Sequence, residues 1–249
     1  MDLRTALAAG VTALATTSLV LCSAPASFAA TDVTAPVVVS AAVTPGIAVV
    51  NAGGSTVVTV DVVATDDVGV RGVVALLYQG DDADTAEYGL LVDDFRKVAG
   101  TASTWRGTLA VDKSFATGKH RVAAAAFDAA GNVADADPLA SMYVKRNTKM
   151  PVFNAAPEPV RKGAPIKVGG QLTRLDPARG YVGYGGKTVS VYFRPTGGAW
   201  ALQGSATTDS SGTWSRSFTA SVDGTWQARF AGTSNYHAET SQDDNVDVQ

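Results

Sequence analysis

Two short polar stretches hold the residue types that bind hard cations. Asp66 and Asp67 stand side by side in ATDDVGV, and Asp128 precedes Asn132 in FDAAGNVAD. Carboxylate and carboxamide oxygens are what calcium takes, about six to eight at a time. The two stretches therefore make a site only if the fold brings them to one pole, where Asp32, near the first strand, can join them. The same residues serve equally well as turns without metal. Asp128 can cap through its side chain, Gly131 can supply positive φ, Asn132 tolerates left-handed geometry, and TDDVG reads as an Asx turn. Both readings stay open on the sequence alone. A third acidic stretch, QGDDADTAEYG, adds Asp81, Asp82, Asp84 and Glu87, but an exposed loop tip of this kind is ordinarily only solvated.

A second chemistry is suggested by ARGYVGYGGK, where Tyr181 and Tyr184 sit in a glycine-rich loop and alternation does not bury them. Aromatic faces in such a loop can stack on sugar rings, and Trp200, after the PTGG turn, can add a second platform. The expectation from these three residues is carbohydrate or cell-wall binding. For catalysis the chain is poor. His120 and His237 have no nucleophile that spacing connects to them, and there is no Gly-x-Ser-x-Gly elbow, zinc-ligand helix or phosphate loop. The reading is that the protein is not an enzyme.

The elements that must position these residues are strands. In VVTVDVVA, residues 57–64, Val58, Val60 and Val62 fall on one face and Val57, Thr59, Asp61 and Val63 on the other. KTVSVYFR, residues 187–194, places Val189, Val191 and Phe193 opposite Thr188, Ser190, Tyr192 and Arg194. That period of two is the mark of a half-buried strand. Such runs recur between Gly, Asp, Asn and Pro clusters at the spacing of an all-β sandwich, and no long helical period interrupts them. Trp105, Leu109 and Val111 share a face, as do Trp226, Ala228 and Phe230, so these aromatics read as core pegs burying on the order of 200 Å² each.

The stretch from Val144 to Pro165 is basic and proline-rich and separates two β-rich blocks. It places a boundary at Asn147, with one domain over 31–147 and a second over 148–249. Residues 1–30 read as a signal peptide: Arg4, an apolar run from Ala6 to Cys22, then Ser27-Phe28-Ala29. The run is too short and too diluted by Thr, Gly and Ser for a membrane span. Leu21, where a lipidation signal wants a small residue, argues against anchoring through Cys22. The expected product is an extracellular, secreted protein without disulfides and without a retained membrane span, stabilised by burial alone. With 20 basic against 23 acidic residues, scattered along the chain, it carries no nucleic-acid footprint.

Several longer stretches resemble a known family. TDVTAP, VATDDVGVRGV, STWRGTL and AAFDAAGNVAD in the first block resemble the bacterial immunoglobulin-like domains of secreted and surface proteins. In the second block GKTVSVYFRP, TTDSSGTWSRSF and DGTWQARFAGTSNYHAETS resemble another bacterial Ig-like type. The resemblance implies two antiparallel Ig-like Greek-key β-sandwiches in tandem after the signal peptide, of about seven strands each. It also implies a structural or interaction role, with a cell-wall or extracellular polysaccharide or another surface protein as partner. The first block is also weakly similar to cadherin-like repeats, which bind calcium at domain junctions, though their acidic motifs are missing here. Such motifs are specific to fold and not to activity.

Overall fold

The structure is a computed structural model that describes residues 32–84, 86 and 88–249. The expected signal peptide with Cys22, and Glu87 of the acidic loop, lie outside the described residues. Every regular element among the described residues is a strand, and none is a helix long and apolar enough to cross a membrane.

The N-terminal sandwich is built from β1 (Val37–Thr44), β2 (Ile47–Val50), β3 (Thr56–Thr65), β4 (Val70–Gln79), β5 (Tyr88–Val92), β6 (Arg96–Lys97), β7 (Thr104–Val111), β8 (Gly118–Asp128) and β9 (Val133–Arg146). One sheet runs β1-β3-β7-β6 and the other β2-β9-β8-β4-β5. That is the immunoglobulin order, strands A, B, E and D in one layer and G, F and C in the other. The alternation read in the sequence is the one that packs: Val58, Val60, Val62 and Ala64 are buried along β3, with Trp105 and Val111 on β7.

The alanine run of β8 has a steric reason. Val122, Ala124 and Ala126 face one side and Ala123, Ala125 and Phe127 the other, and all are buried. The second set packs with Val74, Leu76 and Tyr78 of β4 and with Ala83 from the loop after it. Two polar bonds hold that loop over the sheet: the Tyr78 hydroxyl donates to Asp137 Oδ1 at 2.5 Å and the Ala83 N–H to Asp137 Oδ2 at 3.1 Å. The small side chains of β8 leave room for this covering layer.

The C-terminal sandwich comprises β10 (Thr148–Ala156), β11 (Pro165–Asp176), β12 (Gly180–Gly183), β13 (Thr188–Pro195), β14 (Ala201–Thr207), β15 (Thr213–Thr219), β16 (Gly224–Phe230), β17 (Glu239–Thr240) and β18 (Asp244–Val246). β10 pairs with β11, which also carries β12 and β15; the other sheet runs β14-β13-β16, with β17 and β18 both on β16. Its core is closed by Ile166, Val168, Leu172, Val189, Val191, Phe193, Trp214, Trp226 and Phe230. The rings of Phe193 and Phe218 stand 4.8 and 4.9 Å from Trp226, so this tryptophan is the core peg that alternation indicated.

β9 ends at Arg146 and β10 begins at Thr148, on either side of Asn147. The compact units divide differently. One holds the described chain up to Ala48, Val57–Val111 and Lys119–Tyr143; the other holds Val49–Thr56, Asp112–Gly118 and Val144–Gln249.

Candidate metal centre

Each of three turns in the N-terminal unit closes on an aspartate. Asp32 Oδ1 accepts the Thr34 N–H at 3.0 Å. Asp66 Oδ2 accepts the N–H groups of Val68 and Gly69 at 3.1 and 2.7 Å. Asp128 Oδ1 accepts those of Gly131 and Asn132 at 2.7 and 2.9 Å, and Gly131 takes the positive φ, 95°, that the turn requires. Asp32 and Asp66 each use one carboxylate oxygen in the turn and leave the second outside it, whereas Asp128 also accepts from the Asn132 side chain on Oδ2, at 2.7 Å.

These three turns are brought together. Asp32, Asp66 and Asp128 each offer an oxygen, and the three oxygens lie within 4.8 Å of one another. Asp66 Oδ1 is buried and has no hydrogen-bond partner. No ion pair among the described residues involves any of the three. Three carboxylates so close repel one another when all are charged, and among the described residues no lysine or arginine forms an ion pair with any of them. A divalent cation taking oxygen ligands would offset that repulsion.

Asp128 is the most enclosed of the three, 2% exposed at the end of β8. Its burial pushes the carboxyl pKa up. Hydrogen bonds from the Asn132 side chain and from the Asn132, Gly131 and Ala130 N–H groups outweigh that effect and hold it below the usual carboxylate range. The anion is therefore the form the loop is built around.

Two residues expected as ligands behave differently. Asp67 is exposed and is not in the cluster, because the turn that folds the Asp66 carboxylate onto Val68 and Gly69 leaves its neighbour facing solvent. Asn132 acts through its amide nitrogen: Nδ2 lies 2.7 Å from Asp128 Oδ2, 3.1 Å from the Asp32 carbonyl and 3.2 Å from the Thr34 carbonyl. This nitrogen fastens the first described residues of the chain to the β8–β9 turn and brings Asp32 to the site. Sequence reasoning missed Thr34 as a partner; the Asp-x-Thr spacing is an Asx-turn signal that could have suggested it.

The aromatic residues singled out in the second unit are not gathered into one platform. Tyr184 is 6% exposed, and its ring packs 5.7 Å from Phe230 and 4.8 Å from Tyr236. The expectation of a loop tyrosine open to sugar is corrected here: neighbouring Gly183 and Gly185 lie so close to the backbone of Ser211 and Asp209 that the loop is drawn down and Tyr184 becomes core. Tyr181 is half-buried, with the Lys149 ammonium 4.2 Å from its ring and its hydroxyl accepting from Asn147 Nδ2 at 3.2 Å. Trp200 lies beside β14 with Arg194 over its ring. His120 is fully buried within β8, and the His237 carbonyl accepts from the Thr148 hydroxyl.

No protein-family model and no curated protein matches the chain. Among solved structures, it is similar to PorU from Porphyromonas gingivalis in its dimeric latent form (13% identity, TM-score 0.31), where the match covers 86% of this chain and 20% of that one. It is similar to the D00-D0 domain of intimin (16% identity, TM-score 0.29, 83% and 98% covered). It is also similar to FdeC, an Escherichia coli adhesin (20% identity, TM-score 0.35, 84% and 65% covered). The chain thus spans about a fifth of PorU and about two thirds of the FdeC structure. The immunoglobulin-like assignment rests on the strand order described above.

Proposed function

We propose that the protein is a secreted, non-catalytic immunoglobulin-like interaction module whose N-terminal unit binds calcium through Asp32, Asp66 and Asp128. The observation that carries the metal reading is the buried, unpartnered Asp66 Oδ1 in a cluster of three carboxylates with no ion-pair partner. A buried polar atom without a partner is uncommon in folded proteins and calls for a missing ligand. Hard oxygen donors in a β-turn frame suit calcium, with water or a partner's oxygens completing the shell. The surface role is supported by the family resemblance of the sequence, whose members serve as spacers and docking modules.

Calcium bound only to the folded state raises stability by about 1.4 kcal/mol at ten times its dissociation constant. The test is thermal unfolding in EDTA and in increasing calcium. A rise in the first unit's Tm that keeps growing with the logarithm of calcium concentration above the dissociation constant, absent in Asp66→Asn, is expected. An unchanged Tm up to millimolar calcium would reject the metal reading.

A further inference from the structure

Strands β14, β13 and β16 of the C-terminal unit carry arginines on their outer face and no acid of their own; the nearest carboxylate on that face, Asp243, comes from the segment before β18. The three strands contain Arg194 and Arg229 and neither Asp nor Glu, in a chain whose formal net charge is −3. Tyr192 and Arg194 project from β13 and Gln227 and Arg229 from β16, opposite the buried Val191, Phe193, Trp226 and Ala228. Trp200 enters beside β14 and Leu202, 59% exposed, follows it.

Both guanidiniums are laid on aromatic rings. The Arg194 Cζ is 4.6 Å from the centroid of Trp200; the Arg229 Cζ is 5.6 Å from the same ring and 4.2 Å from that of Tyr192. Arg229 Nε donates to Gln227 Oε1 at 2.7 Å, and Gln227 Nε2 donates in turn to Asp243 Oδ1 at 2.7 Å. The one carboxylate in reach is thus tied to an amide. Its other oxygen forms a loose, half-exposed ion pair with Arg194 Nη2 at 3.8 Å, beyond hydrogen-bond distance. The terminal nitrogens of Arg194 and Arg229 meet no hydrogen-bond acceptor among the described residues.

A guanidinium held over a ring loses part of its rotamer freedom before any ligand arrives, and its remaining N–H groups suit contact with an oxyanion. Two such guanidiniums above one indole, with an exposed leucine alongside, suit a chain of linked acidic groups better than one small ion. The geometry points to an acidic polysaccharide as the ligand of this face. Carboxylate or sulfate groups of neighbouring sugars would engage Arg194 and Arg229, with the sugar body against Leu202. Trp200 and Tyr192 act as positioning residues for the guanidiniums that sit over their rings. The inference is independent of the calcium reading and concerns different residues.

The test is native affinity electrophoresis of the purified protein, in EDTA so that calcium bridges play no part. Gels would contain polygalacturonate, heparin, neutral dextran or single-stranded DNA. Retardation by polygalacturonate or heparin and none by dextran is expected, the two acidic gels separating carboxylate from sulfate preference. Arg194→Gln with Arg229→Gln should weaken retention about tenfold or more, as expected for loss of two charge-assisted contacts. Trp200→Ala should weaken it less, by freeing the arginines. Arg161→Gln with Lys162→Gln, the same charge change elsewhere in the unit, should leave it within about twofold, since scattered charge alone confers little. Thermal unfolding of each variant confirms its fold. No retention by either acidic polymer, equal loss in both double variants, or tighter retention by DNA would overturn the proposal.

Discussion

The Asn132 side-chain amide donates to the backbone carbonyl of Asp32 at 3.1 Å, across 100 residues of chain. The same nitrogen lies 2.7 Å from Asp128 Oδ2. One side chain therefore ties the start of the described chain to the β8–β9 turn and holds two of the three carboxylates in register. Replacing it should act on stability and on the metal site together. Asn132→Ala is expected to lower stability by about 1–2 kcal/mol in EDTA, the range for lost hydrogen bonds to a charged group and to backbone. It should also shrink the calcium-dependent rise in Tm. Asp67→Asn, on a neighbouring exposed residue, should change neither.

The acid limb of the stability curve should carry the signature of carboxylates held in turns. Asp176 is bonded first by the Arg179 side chain and then by the Arg179 and Ala178 N–H groups, which lower its pKa to about 2. Asp128 and Asp209 are lowered as well, Asp209 chiefly by the Ser211 hydroxyl. A carboxyl whose folded pKa lies below its unfolded value stabilises the fold above the unfolded pKa, and that contribution is lost as pH falls through the folded one. Stability should therefore decline from about pH 4 towards pH 2. Asp176→Asn should flatten the decline, and the Asp176 carboxyl should titrate near 2 by NMR.

Glycines fix the loop that buries Tyr184. A Cβ on Gly212, whose φ is +80°, would overlap the Leu172 carbonyl, and one on Gly183 would overlap the Ser211 carbonyl. Gly212→Ala and Gly183→Ala should each destabilise the C-terminal unit by roughly 2–4 kcal/mol, both by overpacking and Gly212→Ala also by backbone strain. Urea unfolding read from the tryptophans of that unit measures this directly.

Tyr184→Ala belongs to the same class and separates core from binding site. It should lower stability by about 3–5 kcal/mol, as for a large aromatic truncated in a core. Retention on polysaccharide gels, measured below the variant's Tm, should be unaffected.

The strands were legible in the sequence because their faces alternate in a single pattern. Val58, Val60 and Val62 share a buried face, and Val189, Val191 and Phe193 do the same. The polar stretches were legible as residue types but undecided between turn and ligand, and the structure shows why. The turns at Asp32 and Asp66 take one carboxylate oxygen and leave the other, so there the two roles do not compete. Asp67 was over-read because adjacency in sequence puts neighbouring side chains on different sides of a tight turn. Tyr184 was misread because its burial depends on glycines meeting backbone from residues 209–212, which no local period reports. The pairing of Tyr78 with Asp137, 59 residues apart, and the stacking of Arg194 and Arg229 on Trp200 are likewise products of sheet order and not of spacing.

Calcium titration by isothermal calorimetry, comparing the wild-type protein with Asp66→Asn and Asp128→Asn, tests the metal centre most directly. A saturable heat for wild type that disappears in both variants, with their folds intact in EDTA, is the result expected. No saturable heat in the wild type, or the same heat in all three proteins, would contradict it.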